Sequence, residues 1–177
     1  MSDYAVSLLV RIGLEAFVAL SAYLLLVIGR VSFGQQAFFV IGGYAAGIAT
    51  ALYGAPLAVG IMVGAVAAGV AGALLSAVMA PAGGIYFAAG SLAVGELVRV
   101  ALLSFHYQVP VGADLTGPAG ADGFRGIRAL FTGGMSVTTY MLAVSGLLAV
   151  TSVVIVLLLS SRWGEAMRMV GEDETAS

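Results

Sequence analysis

Five apolar runs, about 4–28, 35–53, 56–80, 85–105 and 135–159, constrain this chain more than any other feature of it. At about 1.5 Å of rise per residue, a helix of roughly 20 residues crosses the hydrocarbon core of a bilayer. Lipid offers backbone N–H and C=O groups no partner, so a run of that length closes its hydrogen bonds within itself, as a helix. Only 9% of the residues are charged, against about 25% in soluble domains, which leaves no polar faces with which to fold these runs in water. The expected fold class is all-α: a polytopic integral membrane helical bundle of about five transmembrane helices, with one membrane domain over 1–160 and a polar tail over 161–177.

Glu96 is the residue that such a fold has most difficulty accommodating. It falls near the middle of the expected helix 85–105, where lipid cannot solvate a carboxylate, so it has to face protein or a watery cavity, or carry a proton. Arg99 follows on nearly the same face. Two roles stay open for the pair: it satisfies itself inside a bundle, or it forms part of a polar pathway. The first run repeats the theme with Arg11 and Glu15, which can pair with each other or cross to Glu96 and Arg99. Gln35 and Gln36, at the entrance of the second run, are further candidates for a polar path.

Small residues mark the expected contacts between helices. Gly43, Gly47, Ala51 and Ala55 recur every four residues in the second run, and Gly60, Gly64, Ala68, Gly72, Ser76 and Ala80 form a longer ladder in the third. Lipid tails are as apolar as leucine, so helices adhere in a membrane by close contact, which small side chains permit. Gly43, Gly47, Gly60, Gly64 and Gly72 are therefore read as helix-packing positions. His106 to Gly134 is a polar, glycine-rich interval that cannot span; it lies on the surface or partly re-enters between helices. Arg162 and Arg168 after the last run place the tail in the cytoplasm, and counting back puts the His106–Gly134 interval and the N-terminus outside. Arg125 and Arg128 then sit on the outer side, against the rule.

Several activities are excluded by residue type. The chain has one histidine and no cysteine, so HExxH, multi-histidine and thiolate metal sites are absent. No GxSxG elbow and no GxxxxGKS phosphate loop occur, and all seven basic residues are arginines scattered singly, which removes a basic patch for nucleic acid. No cofactor is expected and the chain is not read as an enzyme. The adjacent carboxylates Glu172, Asp173 and Glu174 lie in the polar tail, where a solvated charge run explains them.

Four segments, in order, resemble the permease subunits of branched-chain amino acid ABC transporters, nearer the M-type than the H-type subunit. VSFGQQAFFVIGGYAAG from Val31 to Gly47 resembles the family's SLGQAAFFGIGAYTAA, and GIYFAAGSLAVGELVRV from Gly84 to Val100 resembles RGxYFAxxTLAFGEIVR, with Glu96 and Arg99 in matching places. LTGPAGADGFRGI from Leu115 to Ile127 is similar to LTGGxxGLxGI, and SRWGEAMRMVGEDE from Ser161 to Glu174 is similar to the cytoplasmic SRFGRALRAIREDE. The resemblance implies a transmembrane permease domain of an ATP-driven importer for branched-chain or related amino acids, in a bacterial or archaeal inner (plasma) membrane. The partners it implies, besides the lipid bilayer, are a second permease subunit, separate ATPase subunits and an external solute-binding protein. Family members continue through further helices after the segment matching Glu174, so the resemblance also implies a permease cut short at its C-terminus. The alternative is a truncated or scaffolding membrane protein that does not itself transport.

The tail carries its own pattern. Trp163, Ala166, Met167 and Val170 recur at i, i+3, i+4 and i+7, an apolar stripe on a short amphipathic helix. Such a stripe lies on the membrane surface, with Trp163 as an interfacial anchor, or seats in a partner. The resemblance favours the groove of an ATPase subunit, with Trp163, Gly164, Ala166, Met167 and Val170 as the coupling residues.

Overall fold

The structure, a computed structural model, describes residues 3–111, 114–126 and 136–175. In order, helix α1 (Asp3–Val27) leads to α2 (Gln35–Gly47), a π-helical turn (Ile48–Leu52), α3 (Leu57–Met79) and α4 (Gly84–Ser104). Strands β1 (Val109–Val111), β2 (Asp114–Pro118) and β3 (Phe124–Arg125) follow, then α5 (Val137–Leu159) and α6 (Arg162–Thr175). The protein is an all-α membrane protein with one small sheet. Among the described residues, α1, α3, α4 and α5 are each long and apolar enough to cross a membrane. The second apolar run is helical too, but its last turn is a π-turn. There the Thr50 hydroxyl donates to the Ala46 carbonyl at 2.8 Å, competing with the backbone for that acceptor.

Local signals explain where the helices stop. Gly29, at φ 73°, ends α1 in a Schellman motif: Arg30 N–H donates to Leu25 O and Gly29 N–H to Leu26 O, both at 3.0 Å. Pro56 precedes α3, where its missing N–H costs nothing. Ser136 caps α5, its hydroxyl accepting from the Thr139 N–H at 3.1 Å.

The chain divides into two compact units, and α4 contributes to both. The first holds α1, the opening turns of α4, α5 and α6. In it α1 packs on α5: a Cβ at Gly13 would stand 2.9 Å from Val144 Cγ1, so only glycine allows this approach. Helix α6 folds back onto the end of α5. Gly164 lies against the Leu159 backbone so closely that any Cβ would overlap it, and Arg168 Nη2 donates to the Leu159 carbonyl at 2.5 Å.

The second unit holds α2, the π-turn, α3, the rest of α4 and the sheet. A Cβ on Gly64 would lie 2.6 Å from the Gly42 carbonyl, and one on Gly60 would collide with Thr50. The third-run ladder therefore meets α2 at Gly60 and Gly64. Gly43 and Gly72, also read as packing positions, have no described atom within 4 Å of a would-be Cβ. On α2 the face against α3 is Gly42 and Ala46, one residue from the Gly43/Gly47 row, and one residue is about 100° of helix rotation. Gly47 turns instead toward the Phe124 ring, its would-be Cβ 3.0 Å away. Gly90, on α4, receives the end of the Met79 side chain from α3.

The sheet occupies the interval read from the sequence only as a polar connection. It is antiparallel, in the order β1-β2-β3, with Val109 opposite Thr116 and Pro118 opposite Phe124. The LTGPAGADGFRG stretch supplies β2, a 3-10 turn (Gly120–Asp122) and β3. Gly117 (φ 130°) and Gly120 (φ 60°) hold backbone conformations that favour glycine, and each lies so close to Tyr107 or His106 that a Cβ would overlap them. Phe124 anchors the hairpin on α2, meeting Tyr44 edge-to-face with ring centroids 5.7 Å apart.

Candidate functional site

The polar groups of the membrane-spanning helices are the natural place to look for function, because lipid penalises each of them. On α4, Arg99 Nε donates to Glu96 Oε2 at 2.8 Å and Arg99 Nη2 to Glu96 Oε1 at 2.5 Å, a two-point clasp across one helical turn. The clasp is not inside the fold: the Arg99 and Glu96 side chains are 60% and 57% exposed. The neutralising partner of Glu96 is local, and the described residues leave the outer side of the pair uncovered. Arg11 and Glu15 behave alike, joined at 3.1 Å within α1 and exposed. Each pair closes on its own helix.

Gln35 is the opposite case. It opens α2, is only 7% exposed, and its Nε2 has no hydrogen-bond partner among the described residues. Gln36 beside it is exposed. Ser91 on α4 and Thr116 on β2 are the other buried polar residues among those described.

Outside the spans, Arg125 is paired with Asp122 at 2.7 Å. A hydrogen bond with the Tyr53 phenol, then the charge on Tyr53, holds the Tyr107 phenol above its ordinary value of 10.0. Tyr107 thus keeps its proton more tightly folded than unfolded. The contribution of this bond is full below about pH 10 and is lost as pH rises through the folded value. Tyr53→Phe is expected to bring the Tyr107 phenolate transition back down to the ordinary range, read as the absorbance difference between chains with and without Tyr107→Phe. An unchanged midpoint would mean that the two phenols do not interact.

On the α6 tail, Trp163 is 73% exposed and Ala166 and Met169 are exposed as well. Gly164 is buried and Met167 half-buried. Of the expected stripe, Trp163 and Ala166 are exposed and Met167 is half-buried. Val170 lies in α6, but its side chain is outside the described residues. Nothing in the sequence pattern pointed to Met169, or to the Tyr53–Tyr107 and Tyr44–Phe124 contacts, since each depends on which face the backbone turns outward.

No group of three or more histidine, cysteine or carboxylate side chains capable of holding a metal occurs among the described residues. What the arrangement offers is a multi-pass membrane protein with charge pairs turned outward at mid-helix, a buried amide donor at a helix end, and an amphipathic helix tied to the end of a span. A family model for the branched-chain amino acid transport system permease component matches residues 4–177, and the chain belongs to that family. No curated protein and no solved structure matches the chain.

Proposed function

We propose that this chain is the membrane-spanning permease subunit of an ATP-driven importer for branched-chain or related amino acids in a bacterial or archaeal inner membrane. It contributes part of the translocation path, works beside a second permease subunit, receives substrate from an external solute-binding protein and docks a separate ATPase. Catalysis of ATP hydrolysis resides in that other subunit. Residues 1–160 are the permease domain and 161–177 the coupling tail. Gln35, Gln36, Glu96 and Arg99 are the polar groups proposed for the path and its walls, and the exposed side of the Glu96–Arg99 clasp is where the second permease subunit covers α4.

The observation that carries the reading is the attachment of α6. Gly164 and Arg168 hold it against Leu159, the last residue of α5, while Trp163 and Ala166 remain exposed. A helix fastened on one side and apolar on the other can pass a push from a cytoplasmic partner into the span. The alternative resting place is the membrane surface. Ala166→Asp is expected to abolish co-purification with the ATPase subunits and leucine uptake by the reconstituted assembly, while insertion in the membrane is unchanged. Retention of the ATPase by the variant, with uptake intact, would remove α6 from the coupling role.

A further inference from the structure

The N-terminal end of α2 is enclosed and rich in donors. Gly34, Gln35 and Ala37 are buried, in a chain whose membrane helices are otherwise largely exposed. No side chain caps the helix and no acidic residue occupies its first turn. The Ala37 N–H donates to the Gly34 carbonyl at 3.0 Å; those of Gln35 and Gln36 precede it at the end of the helix. The helix dipole adds partial positive charge at the same place. In a helix, Cα–Cβ bonds tilt toward the N-terminus, so the Gln35 amide is carried to this end, and its buried Nε2 has no partner among the described residues. An orphaned buried donor is costly, and an acceptor oxygen is what satisfies it.

We propose that this end of α2 is a subsite for the carboxylate of the transported amino acid, with the Gln35 carboxamide and the first-turn N–H groups as its donors. The inference rests on the importer reading and adds the group of the substrate that is held and where. A carboxylate suits the site better than an ammonium, because the buried side-chain atom left without a partner among the described residues is a donor and the field there favours negative charge. Gln36 contributes its backbone N–H only, its side chain being exposed.

The test uses the purified chain in lipid nanodiscs with two probes, L-leucine and L-leucinol, which lacks the carboxylate, followed by saturation-transfer NMR. Leucine is expected to bind and leucinol not. Gln35→Met, which keeps the length and removes the donor, and Gln35→Glu, which replaces it with a like charge, are expected to weaken leucine binding about tenfold or more. Gln35→Asn retains a donor and is expected to lose less, with helicity by circular dichroism unchanged in all. Equal binding of the two probes, no leucine binding by the wild-type chain, or indifference to Gln35→Met overturns the subsite. Leucine uptake by the complete assembly separates the two readings: uptake that is intact in both wild type and Gln35→Met removes the subsite alone, whereas no uptake by the wild-type assembly removes the importer reading with it.

Discussion

Gly64→Leu is expected to break the α2–α3 contact and lower the detergent melting temperature sharply, whereas Gly72→Leu, two turns further along the same ladder, leaves it nearly unchanged. A Cβ at Gly64 would already stand 2.6 Å from the Gly42 carbonyl and 3.2 Å from Ala46 Cβ, so the first added carbon forces two backbones apart. Overpacking of this kind costs about 1–3 kcal/mol even where side chains can shift, and here one of the obstructing atoms is main chain. A membrane helix pair has no hydrophobic drive to offset the lost contact, since lipid solvates the separated helices equally well. At Gly72 the space is open within 4 Å, and the expected change is within about 0.5 kcal/mol. If both variants melt alike, the contact through Gly42 and Gly64 is not what joins the helices. If Gly72→Leu spares the isolated chain yet disrupts the assembled importer, that part of the ladder is where another subunit approaches.

Glu96→Ala is expected to reduce the yield of folded, membrane-inserted chain several-fold, and Glu96→Ala with Arg99→Ala to restore it close to wild type. The single change leaves a guanidinium in the span with both of its hydrogen bonds to Glu96 gone. Removing both partners leaves an apolar helix face that lipid accepts. Because the clasp is exposed in this chain, the double variant should be well folded by itself and still fail to assemble with a second permease subunit if that subunit covers this face. Additive losses in the two single variants and the double variant would show that Glu96 and Arg99 do not act as a pair. Normal assembly of the double variant would place the second subunit elsewhere.

The membrane class followed from chain chemistry alone. A run such as 135–159, with no charged side chain, has no stable form in lipid other than a helix, and no tertiary contact is needed to decide that. The Glu96–Arg99 and Arg11–Glu15 pairings were legible for a related reason: residues three and four apart share a helix face whatever surrounds them. The glycine positions of the Leu115–Ile127 segment could be recognised as a pattern, but the pattern did not reveal a sheet. Strand pairing there is set by partners distant in sequence, such as Val109 with Thr116, and its glycines serve close approaches to Tyr107 and His106.

Faces are what the tertiary structure decided. Spacing alone picked out the Gly43 row on α2 and passed over Gly42 and Ala46, because lipid imposes no polar side by which to orient a helix that is small on more than one face. Packing chose Gly42 and Ala46, where the α3 backbone comes closest, and left Gly47 to Phe124. On α6 the fold buries Gly164, half-buries Met167 and leaves Trp163 and Ala166 exposed. It also turned the Glu96 clasp outward and enclosed Gln35, although Glu96 carries the charge and Gln35 does not. Sequence determines what a residue demands of its surroundings; only the fold determines whether those surroundings come from this chain, from lipid or from another molecule.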